Sequence, residues 1–174
     1  MYLFVYYVLL KYDTGLECVF QAIQSEKNVI GLARNVSKLV VPVGSGNDAV
    51  GKAYDDGNSF LQIVQGSVLN PDDVDKVFEL ADDISGVVVV LGGRTKDVGL
   101  SMLTDGTTNI INSMLRHGVK RISIVTSIGC GDSISQAPLK FKILMWTVMR
   151  NIMKDKNNQE QLFLSEGGVG KDLE

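Results

Sequence analysis

The run Val87-Val88-Val89-Val90-Leu91 constrains the fold of this chain more than any other stretch. Five unbroken apolar residues, four of them β-branched, show no polar alternation, so as a strand they need cover on both faces. A sheet with layers on either side is the arrangement of a parallel α/β fold. Further strands are expected at Met1–Leu10, Asn28–Ala33, Ser59–Val64 and Arg121–Thr126. Between them, residues 14–26 place Leu16, Val19, Phe20 and Ile23 at helical spacing. Asn70-Pro71-Asp72-Asp73 reads as a helix start, with Asn as cap, Pro in the first turn and acids against the dipole. That helix is expected to run to about Leu80. Another covers about 101–117 and closes at His117-Gly118, and 138–164 reads as two helices broken near Asp155–Asn158. Residues 34–58 are polar, carry four glycines and form the only long loop. Strand and helix alternate five times, so the expected fold class is α/β with a parallel sheet of about five strands and right-handed crossovers. With 174 residues, one domain over residues 1–174 is expected.

Composition narrows the partners. Seventeen Lys+Arg against twenty Asp+Glu give a net charge of −3, without the basic excess that nonspecific nucleic-acid binding needs. Cys18 and Cys130 cannot build a disulfide framework and fit a reducing compartment as free thiols. The apolar start MYLFVYYVLL is too short to span a bilayer and lacks the flanks of a signal peptide, so no membrane partner is expected. A cytoplasmic location follows, or an organelle stroma if a targeting segment is missing. With His117 as its single histidine, the chain offers neither a Ser-His-Asp triad nor a His-based zinc site.

In an open parallel sheet, ligands bind beyond the carboxyl ends of the strands, where strand order reverses. The residues there are Thr14 and Gly15 after the first strand, Arg34, Ser37 and Lys38 after the second, and Ser67 and Val68 after the third. Gly92, Gly93 and Arg94 follow the fourth, and Thr126, Ser127 and Cys130 follow the fifth. Small residues there let a ligand approach backbone. Arg34 stands where a cation pairs with a 2′-phosphate in place of the acid that would hold a ribose diol. Together these favour an NADP-type pocket. His117 reads as a helix cap, Cys18 as core, Cys130 as a bystander thiol, and Met145, Trp146 and Met149 as a core or subunit-contact stripe. Asp72-Asp73 and Asp82-Asp83 read as helix-start and loop acids, not a metal pair.

From Thr14-Gly15-Leu16 through Ala33-Arg34-Asn35, Leu91-Gly92-Gly93-Arg94, Gly106-Thr107-Thr108-Asn109 and Gly118-Val119-Lys120-Arg121 to Val125-Thr126-Ser127, the chain resembles the atypical short-chain dehydrogenase/reductases. The likeness is to the NmrA-like and flavin (biliverdin) reductase-like groups. It implies a Rossmann-like, doubly wound sheet with NADP(H), less readily NAD(H), across the strand ends. Gly15 matches the last glycine of the family's Gly-x-x-Gly-x-x-Gly turn, and Arg34, Ser37 and Lys38 fall where the family grips the 2′-phosphate. Ser67 falls where an Asp often meets adenine, and Gly92, Gly93 and Arg94 where backbone runs along the ribose and nicotinamide. Thr126 and Ser127 occupy the active-site end of the fifth strand, and Lys156 sits near a lysine found in some members.

The departures bear on activity. Leu9 and Tyr12 replace the first two glycines of the turn, damaging the pyrophosphate cradle; an altered N-terminus and real divergence both account for this. All five tyrosines precede the fourth strand, so no Tyr-x-x-x-Lys pair follows the fifth. Family members usually continue into a further strand and a substrate segment, which the resemblance marks as missing here. The expected function is an NADPH-dependent oxidoreductase with a flavin- or quinone-like small aromatic acceptor that Ser127 would orient. The alternatives are an NADP(H)-sensing module without turnover, and a degenerate member that binds no nucleotide.

Overall fold

The computed structural model describes residues 3–8, 13–46, 48–54, 59–92 and 99–166. Five parallel strands, β1 (Leu3–Val8), β2 (Asn28–Ala33), β3 (Leu61–Gln65), β4 (Ile84–Val90) and β5 (Ile122–Ile124), form one sheet in the order β3-β2-β1-β4-β5. Val5 of β1 is in register with Ile30 on one side and Val87 on the other. The helices are α1 (Asp13–Gln24), α2 (Pro71–Phe78), α3 (Met102–Arg116), α4 (Leu139–Trp146) and α5 (Arg150–Glu166). This is the doubly wound, Rossmann-like parallel sheet that the sequence implies.

Alternation along β2 sorts side chains to the two faces. Ile30 and Leu32 join the larger apolar cluster, with Val74 and Phe78 of α2 and Ile110 and Met114 of α3. Val29 and Ala33 join the smaller one, with Val19 and Ile23 of α1. In β4, Val87 and Val89 go to the larger cluster while Val88 packs against the smaller. That two-sided demand explains the unbroken valine run. The loop between β2 and β3 packs Leu39, Val40 and Tyr54 on the α1 face, and a bridge joins Val40 to Ala53. Among the described residues no helix is long and apolar enough to cross a membrane.

Local chemistry sets the helix ends. The Asn70 side chain accepts from the Asp72 N–H, Pro71 starts α2, and Val74, Val77 and Phe78 are fully buried at i, i+3, i+4 spacing. In α3, Gly106 permits close approach, because a Cβ there would stand 2.8 Å from Val68 Cγ2. The expected break near Asp155–Asn158 is corrected: α5 runs unbroken through those residues, and the interruption falls at Thr147–Met149. There the Thr147 hydroxyl donates to the Ile143 carbonyl, and β-branched Val148 follows. Of the Met145-Trp146-Met149 stripe, Met145 and Met149 pack on the core, while Trp146 is 64% exposed.

A polar knot ties α2 to α3. Arg116 Nη2 lies 2.6 Å from both Asp75 carboxylate oxygens, the Ser113 hydroxyl donates to the same carboxylate, and His117 stacks on Phe78. Burial pushes the Asp75 carboxyl up, but the hydrogen bonds from Arg116 and Ser113 outweigh it and hold the group below the usual 3.8. A carboxyl lowered by folding adds stability that is complete above its unfolded value and is lost as pH falls through its folded one. Urea unfolding followed from neutral pH to about pH 3 should therefore show a falling midpoint, and Asp75→Asn should flatten that fall while lowering stability at neutral pH.

Candidate functional site

Strand order reverses between β1 and β4: the chain winds from β1 outward to β2 and β3, then returns to lay β4 on the other side of β1. The carboxyl ends of these strands therefore bound a crevice. Thr14, exposed, and Gly15, buried, stand in the first turn of α1, whose N-terminus opens there. The N–H groups and dipole at a helix N-terminus favour an anion. Leu9 and Tyr12 lie outside the described residues.

The β2–β3 side is an open depression. Arg34, Gln65, Gly66, Ser67 and Asp73 line a volume of about 560 Å³ at the strand ends. Arg34 is exposed, and Ser37 and Lys38 follow in a single 3-10 turn that the Asn35 side chain caps by accepting from the Ser37 N–H. The Ser67 N–H donates to Asp73 Oδ2 at 3.0 Å; that bond, then the one from Lys76, holds the Asp73 carboxyl below its usual value. The side chain of Val68 is 5% exposed in the core, and its carbonyl accepts from Asn109 Nδ2 at 2.9 Å, so it faces inward while Ser67 faces the depression.

The β4–β5 side holds Gly92, Thr126 and Ser127, all half-buried; Gly93 and Arg94 lie outside the described residues. The Ser127 hydroxyl donates to the Ile128 carbonyl at 3.2 Å. Lys156 of α5 reaches these strand ends from the side. Its Nζ donates to the Leu91 carbonyl at 3.4 Å and the Val125 carbonyl at 3.3 Å, bridging β4 to β5. Burial pushes the ammonium down from its ordinary value, against the pull of Cys130 and Asp155. Four residues earlier, one turn back on α5, stands Ile152, 7% exposed. Tyr54 lies on the opposite face, its phenol raised to about 12 by burial and then by Glu17. Among the described residues no three His, Cys, Asp or Glu side chains gather as a metal site.

Asp155 is the residue that sequence reasoning missed. Its side chain is fully buried and caps α3 from a distance: Oδ2 accepts from the Leu103 N–H at 2.8 Å, and Oδ1 from the Thr104 N–H at 3.0 Å and the Thr104 hydroxyl at 2.6 Å. It supplies the capping bonds that Ser101, at the head of α3, does not make. A cap 51 residues away along the chain leaves no local signal. Beside it, Gln159 Nε2 donates to the Thr107 hydroxyl at 2.8 Å inside the α3–α5 interface.

Residues 13–167 match the family described as NAD(P)H-binding. Solved structures share the fold at low identity. The Escherichia coli protein ChuY, an anaerobilin reductase, is 16% identical with a TM-score of 0.62, and the match covers 88% of this chain and 64% of that one. The oxidoreductase ylbE of Lactococcus lactis is 15% identical with a TM-score of 0.60, over 95% of this chain and 64% of that one. A short chain dehydrogenase from Burkholderia cenocepacia, solved in complex with NADP, is 13% identical with a TM-score of 0.64, over 94% and 64%. The chain thus spans 64% of the length of each of these structures.

If Asp155 anchors α3, Asp155→Ala should lower unfolding stability by about 2–3 kcal/mol, from the lost cap and charged hydrogen bonds. Asp155→Asn, which keeps an acceptor, should cost about half as much. Chemical denaturation of the two variants, with equal m-values, reads this out.

Proposed function

The chain belongs to the NAD(P)H-binding family, and from that premise we propose that it is an NADPH-dependent oxidoreductase of the atypical short-chain dehydrogenase/reductase kind. The acceptor in this reading is a flavin- or quinone-like aromatic molecule. The observation that carries the cofactor assignment is exposed Arg34 at the rim of a depression floored by Gly66 and Ser67. A cation at the end of the second strand suits a 2′-phosphate, and Gly66 and Ser67 line the same depression. Ser37, whose hydroxyl donates to Asn35 Oδ1 at 2.6 Å, and Lys38 are both exposed on the next turn and would add a hydroxyl and a second charge. Thr14 and Gly15 at the head of α1 suit the pyrophosphate, which helix N–H groups and the dipole would hold.

When bound, the nicotinamide supplies the hydride. The chain's own part is orientation. Gly92, with Gly93 and Arg94, would present the β4 end to the ribose. Lys156 fixes the spacing of the β4 and β5 ends through Leu91 and Val125. Thr126 and Ser127 would set the acceptor, the Ser127 hydroxyl turning from the Ile128 carbonyl to donate to it. The apolar Ile152, one turn before Lys156, gives no proton, which favours acceptors that take hydride without an enzyme acid.

The same Ile152 supports a second reading, an NADP(H)-sensing module without turnover. Titration with NADPH and NADH, followed by acceptor assays with flavins and quinones, separates the readings. NADPH is expected to bind more tightly, and Arg34→Ala should weaken NADPH by about 10–100-fold, the worth of one charged hydrogen bond, with NADH little changed. Ser127→Ala should slow acceptor reduction and leave NADPH binding intact. Binding without turnover favours the sensing module, and no binding of either nucleotide overturns both.

A further inference from the structure

Helix α4 carries apolar side chains on both of its faces, one packed on the core and one turned outward. Met145 is 3% exposed and Phe141 packs beside it against the larger cluster. The opposite face carries Leu139, Ile143 and Trp146, which are 73%, 54% and 64% exposed. Their i, i+4, i+7 spacing makes one outward ridge. Just past the helix, Val148 is 67% exposed. At 100° per residue, Lys140 and Lys142 fall on either flank of the ridge, and Arg150 and Lys154 follow it, exposed. From Ser133 to Lys154 there are four cations and no acid, in a chain of net charge −3. The positive charge is gathered where the apolar surface is.

We propose that this ridge docks α4 on an anionic lipid surface, lying in the interface without crossing it. An apolar stripe flanked by lysines, with a tryptophan at its end, is the pattern of a helix lying at the boundary of headgroups and acyl chains. Lys140 is exposed, while Lys142 is half-buried and donates from Nζ to the Ser135 carbonyl at 3.4 Å, a bond it would exchange for a lipid phosphate. Trp146 places an amphipathic ring at that depth. A protein partner fits less well, since stable protein interfaces engage about 20 residues a side and the ridge offers a handful. This surface also adjoins the strand ends. Gly129, at φ 91°, lies so close on Met145 that a Cβ would collide with its side chain, which fixes α4 against the loop after Ser127. Docking therefore holds the end of β5 towards the bilayer. The proposal stands on the ridge and its charges, independently of nucleotide binding.

Trp146 is the only tryptophan and reports directly on the test. The full chain is mixed with vesicles of phosphatidylcholine alone, or of phosphatidylcholine with phosphatidylglycerol. Co-sedimentation and a blue shift of Trp146 emission are expected with the anionic vesicles only, and are weakened by salt. Lys140→Gln with Lys142→Gln should lower the affinity roughly 30-fold, at about 1 kcal/mol for each lysine. Leu139→Ser with Ile143→Ser should abolish the shift while the circular dichroism spectrum and melting temperature stay unchanged, since both side chains face solvent. Absence of binding to anionic vesicles overturns the proposal, as does binding that survives the Ser substitutions. So does a concentration-dependent dimer that the Ser substitutions dissociate, which would assign the ridge to a second copy of the chain.

Discussion

The carboxylate of Asp155 fixes the β4–β5 half of the strand-end crevice by tying α5 to the head of α3. A buried carboxylate is costly unless its oxygens are satisfied, and here two N–H groups and a hydroxyl of α3 satisfy both. The exchange is mutual, because the first turn of α3 has orphan donors that need an acceptor. Helix α3 follows the loop after β4, and α5 carries Lys156 next to Asp155. The same contact therefore fixes where the β4 loop ends and where the Lys156 ammonium begins. Gln159 and Thr107 repeat the arrangement one turn further along, again between α5 and α3.

The β2–β3 half is organised by shorter-range means. Asp73, in the first turn of α2, accepts from the Ser67 N–H and so shapes the backbone that lines the depression. Its engagement by Ser67 and Lys76 matters electrostatically, since it shares that depression with Arg34. A free carboxylate would oppose an anionic ligand, whereas one held by a backbone donor and a lysine is partly neutralised in place. Arg34 is left to set the sign of the pocket. This half is local and survives changes in α5; the β4–β5 half depends on a helix far along the chain.

That division also explains what could be read from the sequence. The valine run of β4, the Asn70-Pro71 start of α2 and the Asn28–Ala33 strand each encode their structure within a few residues, and all three match the fold. Arg34 and Ser67 are legible as strand-end residues that meet in space. Asp155 is not, because Asp followed by Lys156, Asn157 and Asn158 has the local look of a helix break. The tertiary bonds to α3 override that preference and keep α5 continuous. Trp146 stands apart for a related reason: its spacing from Met145 and Met149 suggests one stripe, but the break at Thr147 rotates Met149 relative to α4 and leaves Trp146 on the far side.

Position 152 shows how packing and chemistry constrain each other in this site. Helix α5 buries Ile152 and Met153 in the larger cluster and Asp155 against α3. Lys156, one turn on from Ile152 on the same side of the helix, reaches the strand ends, and burial pushes its ammonium down from its ordinary value. Its Nζ donates to two backbone carbonyls there. Its two bonds to Leu91 and Val125 are thus its natural use in the free protein. A ligand entering the crevice would have to offer acceptors at least as good to draw it away.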